Sequence, residues 1–131
     1  MAQSSSFEPY AVSLLRLVAG LTFSLHGFQK VFGFFGGMGH GSTAHFFSLL
    51  SMAGALESVG GILILLGLYT RPAAFILCGE MAVAYFRQHA PRGLWPIANG
   101  GELAVLYCFI FLLLVSSGAG PWSLDRAIRK K

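Results

Sequence analysis

A single carboxylate in the middle of an apolar run limits most strongly what this chain can fold into. Between Ala53 and Pro72 the sequence reads AGALESVGGILILLGLYTRP, with Glu57 as its one acid and Thr-Arg-Pro as a helix stop. About 20 residues at about 1.5 Å each span a hydrocarbon core roughly 30 Å thick. Gly54, Glu57, Gly60 and Gly61 recur at helical spacing, so one face is small and polar while Ile62, Leu63, Leu65 and Leu66 supply bulk elsewhere. Small residues let a second helix approach closely in lipid. A carboxylate at that depth costs roughly 2.5–3.5 kcal/mol to insert, so it must face protein or water.

The rest of the chain has the same character. Of 131 residues, 55% are hydrophobic and 11% charged, with mean hydropathy +0.68. Soluble domains carry about 25% charged residues, and this chain has too few to cover a water-facing surface. Four apolar spans are expected, at about 10–32, 46–69, 72–89 and 97–117, in one membrane domain covering residues 1–131. No basic residue occurs in Met1 to Tyr10 and no small-residue cleavage motif follows, so no signal peptide is expected. Short connections imply antiparallel neighbours. The fold class is therefore all-α, a transmembrane four-helix up-down-up-down bundle with a short interfacial C-terminal segment, WSLDRAIRKK. In that tail Trp122, Leu124 and Ile128 would meet lipid while Asp125, Arg129 and Lys130 meet water.

Charge sets the orientation. Arg71, Arg126, Arg129, Lys130 and Lys131 share one side, and Lys30, Arg87 and Arg92 the other. This bias puts both termini in the cytoplasm, and it reads as a topology and headgroup signal, with no nucleic-acid partner.

The polar residues inside the spans form the candidate site. Glu57 and Glu80 both fall near mid-membrane, and Glu102 about 6 Å from the outer end of its span. The first span adds Arg16, roughly 9 Å inside its start, and His26, at the outer depth of Glu102. Lys30 shares the face of His26 but lies near the span's end, where it can snorkel. Arg87 is seven residues after Glu80 and on the same face, and Asn99 opens the fourth span. Arg16, Glu57 and Glu80 are expected to converge in one buried network, with His26 and Glu102 in a second. Unpaired, such carboxyls would hold a proton; paired with Arg or His they could stay ionised. Two readings stand side by side, a proton-accessible or ligand-binding cavity and a buried network that fixes helix register.

Other features carry less. Residues 33–45 form a Gly-rich loop with His40 and His45, better read as an interfacial lid than as a metal site or a phosphate loop. Cys78 and Cys108 lie at similar depths on neighbouring spans, where a redox pair is conceivable, although buried cysteine usually acts as a small hydrophobe. No motif for flavin, haem, iron–sulfur centre or metal is present, and no catalytic residue is assigned.

LLRLVAGLTFSLHGFQKVFG in the first span, ALESVGGILILLGLYTRPAA in the second and the closing GAGPWSLDR together resemble the DoxX family of small bacterial membrane proteins. The resemblance runs from about Leu14 to Arg126. It rests on Glu57, Gly60, Gly61, Gly67, Thr70 and Arg71, supported by His26, Gly27 and Lys30. It implies a four-helix bundle in the bacterial cytoplasmic membrane. The leading functional reading is a small subunit of a quinone- or thiol-linked redox system, with no cofactor indicated by motif and quinone as the candidate, and with membrane or peripheral redox proteins, or further copies of the chain, as candidate partners. The alternative is a non-enzymatic membrane scaffold or a small-solute or proton permease.

Overall fold

The structure, a computed structural model, describes residues 6–37 and 49–129. Among them every regular element is helical: α1 (Glu8–Phe32), α2 (Leu49–Leu66), α3 (Thr70–Ala84), α4 (Pro96–Asn99), α5 (Glu102–Ser117) and α6 (Leu124–Arg129). The boundaries differ from the expected spans for local reasons. α3 begins ahead of Pro72, which sits in the first turn, where its missing N–H costs no helical bond. It runs on through a π-helical turn, Tyr85–His89, into a short 3₁₀ turn, Ala90–Arg92. The fourth span is split, because Gly100 at φ 75° caps α4 in the left-handed region and α5 starts afresh at Glu102. His40, His45 and most of the expected lid lie outside the described residues.

α1 and α2 pack antiparallel along a glycine seam. Gly20 and Gly27 of α1 abut the α2 backbone at Leu65 and Ser58, and Gly61 of α2 abuts Ser24. A Cβ at Gly61 would stand 2.6 Å from the Ser24 nitrogen, so no larger residue fits at this separation. α3 and α5 form a second antiparallel pair, from Arg71 beside Val115 at one end to Tyr85 beside Gly101 at the other. α2 packs on α3 through Gly60 and Leu77, and α1 on α5 through Phe23, Tyr107 and Phe111. Phe23, Ile64, Leu77, Phe111 and Leu114 form the buried centre.

The outward faces are as apolar as the centre. Val18, Phe75, Phe86, Phe109 and Leu112 all stand at least half exposed. A soluble bundle places polar side chains there; an apolar belt right round the helices fits lipid. Among the described residues two helices, α1 and α2, are each long and apolar enough to cross a membrane, and α5 is a shorter apolar helix.

The pairs share one device at the end that carries the C-terminal tail. α2 closes in a Schellman turn, with Leu68 N–H donating to Leu63 and Gly67 N–H to Ile64. Arg16 of α1 then donates to the Ile64 and Leu65 carbonyls. In the second pair Arg71 of α3 donates at 2.8 Å to both Val115 and Ser116 at the end of α5. Apart from Ile64, which also accepts from Gly67, these are carbonyls that the helix leaves unpaired, and each arginine sits at the negative end of the helix dipole.

Asp125 completes this end of the molecule. Its oxygens accept from the Tyr69 and Thr70 amides at 2.8 and 2.9 Å, capping α3, while its own N–H donates to Gly67. The tail carries a short helix, and Trp122 ahead of it and Leu124 and Ile128 within it are exposed. Asp125, however, turns inward rather than to water, because three orphan backbone groups at the α2–α3 turn are within its reach.

Candidate functional site

Glu57 lies at the midpoint of α2, 2% exposed, on the small face that Gly54, Gly60 and Gly61 create. Lys30 reaches across from α1 and places its Nζ 2.5 Å from Glu57 Oε1. Lys30 therefore does not snorkel. Its stem passes Gly54, where the lack of a side chain leaves a path to the carboxylate. The signal was the shared face of His26 and Lys30, the face that lines the adjoining cavity.

Beside this ion pair is a cavity of about 450 Å³, walled by α1, α2, α3 and α5. Its walls are mostly apolar, Phe23, Met81, Leu103 and Tyr107 among them, and Glu57, Glu80, Lys30 and His26 supply its polar groups. Such a volume with few polar groups is typical of small-molecule sites. Glu80 lines the same cavity as Glu57. Ionised carboxylates can only accept, and Glu57 Oε2 and both Glu80 oxygens are buried with no donor partner among the described residues. A proton on either carboxyl lets it donate to a ligand in the cavity.

The remaining walls show how the helices aim their side chains. His26 meets the Tyr107 ring edge-on, at 6.1 Å between centroids, and the Tyr107 hydroxyl donates to Thr22 at 2.7 Å. Arg87, Gln88 and His89 of the π-helical turn also line the cavity, Arg87 and Gln88 while largely exposed.

Three expected members stand apart. Arg16 is fully buried but lies fourteen residues, or about 21 Å along α1, from Lys30, and its guanidinium meets only carbonyls. It does not converge with Glu57 and Glu80. Glu102 is exposed in the first turn of α5, where the helix dipole favours an acid, and makes no second network with His26. Asn99 is buried in the loop that ends α4. It donates to Gly93 and to the Tyr85 hydroxyl and accepts from Gly101, so it pins the chain where the fourth span breaks.

Cys78 and Cys108 face each other between α3 and α5 with their sulfurs 3.7 Å apart, both as free thiols. Among the described residues no group of three or more metal-ligating side chains occurs.

A ring of apolar-faced helices around an ion-paired cavity defines a small helical membrane protein with an internal polar site. The DoxX family profile matches residues 11–90, and the chain belongs to the DoxX family. It is 48% identical to an uncharacterized protein of Haemophilus influenzae over the full length of both. It is 37% identical to an uncharacterized membrane protein of Mycobacterium tuberculosis, over 94% of this chain and 84% of that one. No solved structure matches the chain significantly.

Proposed function

We propose that this protein is a small subunit of a redox system in the bacterial cytoplasmic membrane, crossing it four times with both termini inside. Its cavity is read as the binding site for a quinone-class carrier. α3 with its π and 3₁₀ turns is 23 residues of continuous helical chain, about 34 Å, enough for a third crossing. α4 and α5 together supply a fourth with one break, whose backbone groups Asn99 satisfies.

One observation carries the ligand assignment: both Glu80 oxygens are buried without a donor, at the wall of a largely apolar cavity. A quinone ring fits that combination. Phe23, Leu103 and Tyr107 would hold the ring, while Lys30 and a protonated Glu80 would donate to its carbonyls. A bound quinone would supply two-electron carrier chemistry, and the chain's own residues would bind it, exclude water and hold a proton between Glu57 and Glu80. A redox partner would supply the electrons.

The test is mass spectrometry of lipid extracts from protein isolated in native membrane particles, beside Glu80→Gln and Lys30→Met variants. Isoprenoid quinone retained by the parent at a fixed ratio, kept by Glu80→Gln, whose amide still donates, and lost from a folded Lys30→Met variant is the expected result. Quinone at the background level of the surrounding lipid would sink the reading and leave a scaffold or permease.

A further inference from the structure

A second cavity lies at the other end of the molecule, and nothing in the quinone reading uses it. It holds about 330 Å³ and is lined by Arg71, Arg126, Arg129 and the backbone around Gly118 to Gly120. We propose that this pocket binds a phosphate group, and that its occupant in the membrane is the phosphate of an anionic phospholipid headgroup.

The three guanidinium groups come from two places in the fold, the start of α3 and both turns of α6. Arg71 spends its Nη1 on Val115 and Ser116, which fixes the fork and leaves Nε and Nη2 facing Gly118. Gly118 and Gly120 both adopt φ 79°, so the wall between them carries no side chain at these two points to fill the space. A Cβ at Gly118 would stand 3.2 Å from Arg71 Nη2.

Charge in the pocket is poorly compensated. Asp125, the acid beside it, already accepts from the Tyr69 and Thr70 amides. Arg129 Nε makes only a long bond, 3.4 Å, to the Asp125 carbonyl. Glu57 and Glu80 belong to the other cavity, Glu102 opens α5 at the opposite end, and Glu8, exposed in the first turn of α1 at this end, is not part of the pocket's lining. Clustered guanidinium forks are the side-chain arrangement that matches phosphate oxygens in pairs.

Position selects the lipid over a free anion. Tyr10, Tyr69 and Trp122 are exposed around the same end, and aromatic side chains of this kind sit at headgroup depth. The pocket therefore opens where phospholipid phosphates are held at high local concentration, beside basic groups that attract anionic lipid.

The experiment is native mass spectrometry of the full chain released from detergent, with phosphatidylglycerol or phosphatidylcholine added in equal amounts. The parent should retain phosphatidylglycerol about tenfold over phosphatidylcholine, and the Arg126→Gln/Arg129→Gln double variant should lose that preference. Arg92→Gln removes one exposed arginine at the opposite end and should leave it intact. Should the double glutamine variant fail to fold, Arg126→Lys/Arg129→Lys keeps the charge without the fork and should still weaken retention. Inorganic phosphate in excess separates the sources: displacement of the lipid supports a site for free phosphate as well, and no displacement supports the headgroup alone. No preference in the parent, or an equal loss in Arg92→Gln, overturns the proposal.

Discussion

The Nε of Arg16 donates to the carbonyl of Ala119, 2.8 Å away and 103 positions later in the chain. The same guanidinium donates to Ile64, Leu65 and Trp122, so one buried cation ties α1 to the end of α2 and to the segment leading into α6. Replacing it with Met leaves Ile64 with its Gly67 N–H but strands the other three carbonyls, each costing about 1–3 kcal/mol when buried without a donor. Arg16→Met should therefore lose roughly 3–5 kcal/mol, and Arg16→Lys less, because one ammonium reaches some of the acceptors. The thermal midpoint in detergent measures this, and quinone retained per folded molecule should stay unchanged. A midpoint equal to the parent's would mean that the clamp contributes nothing.

The glycine seam predicts opposite outcomes for two identical substitutions. At Gly61 a methyl group meets the Ser24 backbone, so Gly61→Ala must push α1 and α2 apart and should cost about 1–3 kcal/mol. At Gly79 nothing lies within 4 Å, and alanine there should be neutral or stabilising by about 0.5–1 kcal/mol. Paired unfolding curves decide it, and equal effects would show that the seam is not what sets the helix separation.

Asp125 predicts an acid limit. Burial alone would raise its carboxyl, but hydrogen bonds from Thr70 and Tyr69 and the nearby charge of Arg129 outweigh that and hold it below the ordinary value. A carboxyl lowered on folding stabilises the fold fully above its unfolded value near 4, and that share is lost as pH falls through the folded value. Stability of the parent should fall as the medium is acidified below about pH 4, and Asp125→Asn should flatten that limb. Asp125→Ala should cost about 0.5–2 kcal/mol at neutral pH, the usual loss for a helix cap. Identical acid limbs for parent and Asp125→Asn would remove Asp125 from the account.

The facing thiols predict a cross-link. With sulfurs 3.7 Å apart on packed helices, Cys78 and Cys108 should close to an internal disulfide under a mild membrane-permeant oxidant. Peptide mapping would find the Cys78 and Cys108 peptides joined and two hydrogens lost. Recovery of both thiols unchanged after such treatment would show that packing holds the Cβ atoms in an orientation that prevents bonding.

Much of this architecture was legible from local pattern. The glycine and glutamate spacing in residues 53–67 pointed to one small face; Gly54 and Gly61 on it are where α1 docks, while Gly60 meets Leu77 of α3. The even depth of Glu57 and Glu80 follows from helix rise alone, and both line one cavity. The tail's apolar residues were also readable from their spacing.

What the sequence could not reach were relationships between helices. Arg16 reads as a partner for a carboxylate, because a buried cation calls for an anion. Only the folded chain brings α2's unpaired carbonyls to it, and a helix end can satisfy a guanidinium as an acid would. Lys30 reads as a snorkelling residue until the gap at Gly54 opens its route to Glu57. Asp125 reads as a solvated charge until the α2–α3 turn presents two free amides to it. Composition and periodicity determine which residues must leave water. Which buried polar groups meet is decided by how the helices rotate and pair, and that depends on atoms dozens of positions apart.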